Sequence, residues 1–211
     1  MPRSLKAEQS MRGRIIYVMG ASGSGKDSLI REMRRRLRNL PLAAARRYIT
    51  RPPSPGSERH IPVSHERFEQ LASSGRFALH WTAHGCRYGI SLRSLRALED
   101  GVSVLVNGSR AAFGEVLHRY PDLIPVLVTA PLHTLRERLA RRKRESELER
   151  EERLSVALLP VPADFAGQRM IRIDNSGLLD DAADLLEQEL RRALFCDHAC
   201  PRAEKVSPPH V

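Results

Sequence analysis

The sequence of 211 residues is poor in aromatic side chains and in cysteine, and it has no long apolar run. No stretch approaches the ~18 consecutive apolar residues of a membrane-spanning helix. The start of the chain also lacks the apolar centre of a secretory signal. We therefore expect a cytoplasmic protein that neither crosses nor binds a membrane.

The three cysteines, Cys86, Cys196 and Cys200, are too few and too irregularly spaced to form a disulfide framework. His198 lies between the last two, so this segment could bind a metal ion. The spacing matches no recognised zinc pattern, and we favour surface thiols in a C-terminal tail.

Positive charge is in excess, with a formal net charge of +10 and a pI near 10.3. Such a chain attracts polyanions, whether nucleic acids, acidic membranes or phosphorylated small molecules. Few aromatic residues lie beside the basic ones, and no DNA- or RNA-binding motif is present. The composition therefore favours a phosphate-handling enzyme without a nucleic-acid partner.

A glycine-rich segment with Walker A spacing follows an apolar run and precedes a helical pattern, which predicts a strand, a phosphate loop and a helix. The segment reads Gly20, Ala21, Ser22, Gly23, Ser24, Gly25, Lys26, Asp27, Ser28. We expect it to bind ATP, with Lys26 reaching the β- and γ-phosphates. Asp27 stands where the pattern has a hydroxyl for Mg²⁺, so Asp27 and Ser28 are both candidate metal ligands.

Strands and helices alternate along most of the chain, which predicts one α/β domain over residues 13–195. Residues 1–12 are expected to form a mobile arm, and residues 196–211 a disordered tail. Residues of about 50–90 lack long apolar strands and are interpreted as an inserted substrate lobe. The arginine-rich interval of about 142–155 is interpreted as a lid, although a solvated helix surface is the alternative.

Two strand ends are expected to carry site residues. A valine-rich strand over 102–106 ends before Asn107, Ser109 and Arg110, and the carboxyl ends of central strands face the ligand crevice of open α/β sheets. A plain turn there is the alternative. A predicted strand over 43–49 leads into a stiff, proline-rich loop that presents Arg51, which suits phosphate binding.

Together these motifs resemble the guanylate kinase branch of P-loop kinases, and more closely the ribose 1,5-bisphosphate phosphokinases of bacterial phosphonate catabolism. The resemblance covers about residues 12–194. It rests on the phosphate loop and on five further motifs: Arg47-Tyr48-Ile49-Thr50-Arg51, Gly56-Ser57-Glu58, Trp81, Tyr88-Gly89 and Val106-Asn107-Gly108-Ser109-Arg110. It implies a three-layer P-loop kinase fold with a central parallel sheet, the substrate lobe and the arginine-rich lid.

The resemblance also separates the two relatives by chemistry. Guanylate kinases accept hydrogen bonds from guanine with acidic side chains, and the matching positions here fall near Leu79 and near Asn107 or Gly108. Without those acceptors guanine is not selected. The implied reaction is ATP-dependent phosphorylation of ribose 1,5-bisphosphate to 5-phosphoribosyl 1-diphosphate, with ATP and Mg²⁺ as cofactors.

By resemblance each candidate receives a role. Lys26 and the lid arginines Arg142 and Arg153 would be catalytic, and Asn175 would border the adenine of ATP. The acceptor phosphates would be bound by Arg51, Tyr88 and Arg110, with His60 and Asn107 as further candidates. Arg87 replaces a tyrosine of the family pattern, and a charge-assisted hydrogen bond from it could replace the one that is lost.

Two other functions stay open from the sequence. A nucleoside monophosphate kinase of the guanylate type would use the same fold. A non-catalytic guanylate-kinase-like binding module is supported by Asp27 alone and opposed by the presence of Lys26. The oligomeric state, monomer or homodimer, is not indicated.

Overall fold

The computed structural model describes residues 12–53, 58–141, 147, 151, 153–155 and 170–195. The predicted arm, except for residue 12, and the whole C-terminal tail lie outside these ranges. So do Arg142 and most of the predicted lid.

The described residues form nine strands and six α-helices. The strands are β1 (Ile15–Gly20), β2 (Leu42–Ala44), β3 (Arg47–Ile49), β4 (Ile61–Pro62), β5 (Phe77–Ala83), β6 (Cys86–Ser91), β7 (Ser103–Asn107), β8 (Ile124–Thr129) and β9 (Ile171–Asp174). The helices are α1 (Lys26–Arg36), α2 (His65–Ser73), α3 (Leu92–Leu95), which continues into a 3₁₀ turn (Arg96–Leu98), α4 (Phe113–Arg119), α5 (Leu132–Arg141) and α6 (Leu179–Phe195).

The central sheet has five parallel strands in the order β2-β7-β1-β8-β9. Strand β1 lies in the middle because its residues are apolar on both faces, as a strand covered on both sides requires. The phosphate loop follows β1 directly, and Val18 of β1 pairs with Asn107 of β7. The parallel order therefore brings the ends of β1 and β7 side by side.

Alternate residues of β1 enter two hydrophobic clusters on opposite faces of the sheet. Ile16 and Val18 pack with residues of α1 and α6. Tyr17 and Met19 pack with residues of α4, β5 and β6. The three-layer α/β fold predicted from the sequence is confirmed.

A second sheet of four strands, in the order β4-β3-β6-β5, lies against the second cluster. Strands β3, β6 and β5 pair antiparallel, and β4 pairs parallel with β3. Buried Leu79 and Ile90 join this sheet to the core of the central one. The polar residues of the second sheet are thereby fixed relative to the phosphate loop.

The prediction of one strand over 43–49 is wrong. Strand β2 joins the central sheet, whereas β3 joins the second sheet, and Ala45 and Arg46 connect them. The second sheet therefore begins before residue 50. None of the described helices has the length and apolar composition needed to cross a bilayer.

Candidate phosphate-binding site

The phosphate loop joins β1 to the first turn of α1. Gly25, the N-cap of α1, has a φ of 89°, a left-handed conformation that favours glycine. A Cβ at this position would lie 2.1 Å from Nδ2 of Asn175, so a side chain is excluded by space as well. The loop thus leaves its backbone N–H groups and the helix N-terminus for an anion.

Lys26 lies at the first position of α1 and folds back over the loop. Its Nζ donates to the carbonyl oxygens of Gly20 and Ala21, each at 2.8 Å. An ammonium group held there lies over the loop that the sequence assigns to phosphate. The geometry suits a lysine that neutralises phosphate charge.

Asn175 supports the loop from behind. It is 3% exposed, and its Nδ2 donates to the carbonyl of Ser24 at 2.7 Å. Its Oδ1, the Oγ of Ser24 and the Nη1 of Arg138 are buried without a hydrogen-bond partner among the residues that the structure describes. Such atoms favour a polar ligand or water nearby. That Asn175 borders adenine stays a prediction.

Arg138 is a site candidate that the sequence analysis missed. It lies on α5, and its Nη1 is 3.8 Å from the position that a Cβ on Gly25 would take. Many arginines lie between positions 136 and 153, and only the packing of α5 beside the loop distinguishes Arg138 from the others. The one signal in the sequence was its neighbour Leu139, whose place in the helical pattern indicates the buried side of α5.

The segment after β7 is fixed by a buried tyrosine. The hydroxyl of Tyr17 donates to the carbonyl of Ser109 and accepts from its N–H, both at 2.9 Å. Burial raises the pKa of Tyr17 to about 12. A Cβ on Gly108 would meet the Tyr17 ring at 2.1 Å. Arg110 follows this braced turn, and burial lowers the pKa of its guanidinium.

A chain of polar contacts links the phosphate loop to the second sheet. Nδ2 of Asn107 donates to Oδ1 of Asp27 at 2.6 Å and to Oε2 of Glu58 at 3.0 Å. Arg47 donates from Nε to Oε1 of Glu58 at 2.6 Å and from Nη1 to the carbonyl of Asn107 at 3.4 Å. Arg47 and Glu58 belong to motifs that carry the family resemblance, but the sequence analysis gave neither of them a role in the site.

The predicted acceptor tyrosine lies beside this chain. The guanidinium of Arg47 lies 5.0 Å from the ring centroid of Tyr88, and the ring of Trp81 stacks on Tyr88. Burial raises the pKa of Tyr88, and the positive charges of Arg47, Arg51 and Arg153 oppose that rise. Of these arginines, Arg47 is the one in direct contact with the Tyr88 ring among the described residues.

Arg51 and His60 are coupled through the backbone. His60 is 4% exposed, and its Nε2 and Nδ1 lie 2.9 Å and 3.3 Å from the carbonyl oxygens of Arg51 and Glu58. We interpret His60 as a residue that positions Arg51 and Glu58. The Nε of Arg51 is buried without a partner in the described part of the chain. A hollow of about 450 Å³, lined by residues 50–52 and 62–65, adjoins it.

Two further arginines have different placements. Arg87 forms an ion pair with Glu69 of α2 and packs over the Phe68 ring. Adjacent strand residues point to opposite faces, so Arg87 faces away from Tyr88, and that it replaces the lost hydrogen bond to the acceptor phosphate stays a prediction. Arg153 donates from Nη1 to Oγ of Ser22 at 3.2 Å, so this predicted lid arginine contacts the phosphate loop.

Comparisons with known proteins give the relatives of this chain. The sequence model of the AAA domain family matches residues 16–156. A protein of Desulfomicrobium baculatum named ribose 1,5-bisphosphate phosphokinase PhnN is 46% identical over 174 residues, which are 82% of this chain and 91% of that protein. A protein of Azotobacter vinelandii with the same name is 45% identical over 183 residues, 86% and 98% of the two chains.

Two solved structures share the fold. The guanylate kinase of Anaplasma phagocytophilum superimposes with a TM-score of 0.64 at 18% identity and covers 88% of each chain. A gluconokinase of Sinorhizobium meliloti gives a TM-score of 0.50 at 19% identity, with 89% of this chain and 97% of that chain covered. At these identities the superpositions show the fold alone.

Proposed function

Since this chain belongs to the ribose 1,5-bisphosphate phosphokinase family, we propose that it transfers the γ-phosphoryl group of ATP to the 1-phosphate of ribose 1,5-bisphosphate. A 1-phosphate oxygen bonds to the γ-phosphorus, and the bond from that phosphorus to the β–γ bridging oxygen breaks. The products are 5-phosphoribosyl 1-diphosphate and ADP. The nucleophile is already ionised at neutral pH, so the reaction needs no general base.

The observation that carries this function is a set of phosphate-binding side chains without the acidic side chain that binds guanine in guanylate kinases. The Arg47 guanidinium lies 5.0 Å from the Tyr88 ring centroid, and Arg51 follows β3, so the proposed phosphate-binding residues lie on or next to the second sheet. Leu79, at a position where the resemblance to guanylate kinases calls for an acidic reader, is 6% exposed and packs in the core. An apolar side chain cannot accept from guanine N1–H, so discrimination for the base is lost.

On the nucleotide side, loop residues Gly20 to Ser28 would hold the ATP phosphates. Lys26 would neutralise charge on the β- and γ-phosphates, and Arg153 would approach the γ-phosphate from the lid side. Arg142 is assigned the same role by resemblance. Asn175 and Arg138 would border the remainder of the nucleotide behind the loop.

The residues present also fit Mg²⁺, which prefers oxygen ligands and retains several waters. Asp27 offers a carboxylate in the first turn of α1, and the hydroxyl of Ser28 follows it. Bound there, the metal would neutralise phosphate charge that develops during transfer. The carboxylate would hold the metal, while Lys26 and the arginines would orient the phosphates.

Product identification tests the function. Purified protein is incubated with ATP, Mg²⁺ and ribose 1,5-bisphosphate, and the phosphorus NMR spectrum is followed. We expect a diphosphate to appear in step with ADP, and Lys26→Ala to reduce the rate about 100-fold or more. If ADP forms without a sugar diphosphate, or if the bisphosphate is left unchanged, the proposed function is wrong.

No contact in the described residues favours the non-catalytic alternative. The sequence supports that alternative only through Asp27. In the structure the Asp27 carboxylate accepts a hydrogen bond from Asn107 and follows Lys26 directly, so the residues of the phosphate loop are in place. The guanylate-type alternative is favoured only by the fold that this chain shares with the Anaplasma guanylate kinase. It is opposed by the absence of an acidic side chain at Leu79. The acceptor assay given at the end of the Discussion separates it from the proposal.

A further inference from the structure

Asp27 of helix α1 and Asn107 of strand β7 are joined by a hydrogen bond between their side chains. Asp27 is in the first turn of α1, directly after Lys26. Asn107 is the last residue of β7, paired in register with Val18 of the phosphate-loop strand. The Asn107 amide nitrogen and the Asp27 carboxylate oxygen are 2.6 Å apart.

In P-loop enzymes generally, Mg²⁺ is held by a hydroxyl of the loop and a carboxylate of a second motif. Here the residue after the loop lysine is the carboxylate Asp27, and the neighbouring strand ends in the amide Asn107. Both arrangements therefore contribute one carboxylate from these two positions. In this chain the carboxylate is on helix α1 instead of at the end of the neighbouring strand.

Glu58 supplies a physical reason for the amide. Its Oε2 lies 3.0 Å from the same Asn107 nitrogen that contacts Asp27. One NH₂ group donates to both carboxylates, whereas an aspartate at position 107 would face two like charges at hydrogen-bond distance. Such an arrangement is disfavoured in a partly buried site.

The oxygen of the same amide indicates that the cluster binds a ligand. Asn107 is 4% exposed, and its Oδ1 is buried without a hydrogen-bond partner among the described residues. A carboxamide oxygen is a ligand that Mg²⁺ accepts. In the described chain no group of three or more His, Cys, Asp or Glu side chains is suited to a metal. The set here, two carboxylates and one amide, is completed in a kinase by nucleotide phosphates and water.

Ser28 is the competing ligand and its surroundings are less suitable. Its Oγ accepts a hydrogen bond from Nη2 of Arg31 at 3.3 Å. The Ser28 hydroxyl is also neutral, so it attracts a divalent cation less strongly than the Asp27 carboxylate does.

Resting on the proposed kinase function, we propose that Asp27 and Asn107 have exchanged the charges of the P-loop magnesium site. Asp27 is the charged ligand, Asn107 orients it and offers its amide oxygen, and Glu58 adds a second carboxylate from the second sheet. Asn107 therefore belongs to the metal centre, and the acceptor phosphates are bound by other residues.

The exchange is tested by reversing it. Mn²⁺ binding is titrated by electron paramagnetic resonance in the presence of a non-hydrolysable ATP analogue, which gives a readout other than turnover. We expect Asp27→Ser to weaken Mn²⁺ binding about 10- to 100-fold. The double variant Asp27→Ser with Asn107→Asp restores the P-loop arrangement, and we expect affinity within about 3-fold of the unmodified protein.

Two variants serve as controls. Asp100→Asn removes an exposed carboxylate elsewhere and should leave Mn²⁺ affinity unchanged. Asp27→Asn keeps the shape of the side chain, so a loss of metal without a change in thermal unfolding would tie the effect to charge. It also keeps the test decisive if the double variant does not fold.

Three results would overturn the exchange. They are an unchanged Mn²⁺ affinity in Asp27→Ser, an unchanged affinity in Asp27→Asn, and a folded double variant that binds Mn²⁺ no better than Asp27→Ser alone. Failure of the proposed function would be seen separately, as unmodified protein that binds Mn²⁺ with the nucleotide analogue but leaves ribose 1,5-bisphosphate unchanged.

Discussion

The rings of Trp81 and Tyr88 stack with 5.6 Å between their centroids and 5° between their planes. Trp81 is the one tryptophan in the sequence, and Tyr88 is the tyrosine that we assign to the acceptor phosphate. Tryptophan fluorescence therefore reports directly on this part of the site.

We expect ribose 1,5-bisphosphate to change the emission of Trp81 in a saturable way. Tyr88→Phe keeps the stacked ring and removes the hydroxyl, so the titration midpoint should rise about 10-fold, since a hydrogen bond to a charged group is lost. Tyr120→Phe, on α4's C-cap, should leave the midpoint unchanged. A Tyr88→Phe midpoint equal to that of the unmodified protein would remove Tyr88 from the phosphate grip.

Arg47 and Glu58 form an ion pair whose side chains are only 12% and 17% exposed. Arg47→Met leaves the carboxylate without its guanidinium, and we expect unfolding free energy to fall by about 2 kcal/mol. The double variant Arg47→Met with Glu58→Leu should regain part of that loss. Urea denaturation of all three proteins measures it.

Arg192 provides the comparison for that experiment, because its pair with Glu189 lies on the surface of α6. Arg192→Met should change stability by less than about 0.5 kcal/mol. Equal losses from Arg47→Met and Arg192→Met would show that the pair in the site contributes no more than a surface pair.

Arg153 contacts Ser22 of the loop that we propose binds the ATP phosphates. We expect Arg153→Ala to lower kcat by about 100-fold while the KM for ATP changes much less, because the charge acts mainly in the transition state. Arg141→Ala, an exposed residue of α5, is the matched control. A loss in KM alone would indicate ground-state binding instead.

Burial raises the pKa of Tyr17 from 10.0 to about 12, which gives a stability dependence at alkaline pH. The raised pKa favours the protonated form in the folded state, so this contribution is complete below pH 10 and is lost as the pH rises toward 12. Tyr17→Phe should cost about 1 kcal/mol at neutral pH through lost contacts to Ser109. It should also lose less stability than the unmodified protein between pH 10 and pH 12, as urea denaturation at several pH values would show.

Much of the fold followed from local pattern. The apolar run before Gly20 and the helical spacing after Lys26 are signals within a few residues, and both were correct. The carboxyl end of β7 was located in the same way. Strands β2 and β3 were not separated, because three-residue strands carry too little periodicity and their assignment depends on which sheet supplies a partner.

The missed site residues depend on packing between distant elements. Arg47 contacts Glu58, which is 11 residues away in the sequence, and Glu58 contacts Asn107, which is 49 residues away. Arg138 is distinguished from neighbouring arginines only by the approach of α5 to Gly25. Composition and spacing do not encode such contacts, so the candidate site was only partly predictable.

Acceptor preference tests the central claim most directly. The rate of ADP release is measured in one coupled assay with ribose 1,5-bisphosphate, ribose 5-phosphate, GMP and dGMP, and kcat/KM is compared. We predict that kcat/KM for ribose 1,5-bisphosphate exceeds that for GMP by about 1,000-fold or more, since buried Leu79 lies near a position where guanylate kinases carry an acidic side chain that binds guanine. A kcat/KM for GMP equal to or above that for ribose 1,5-bisphosphate would contradict the account.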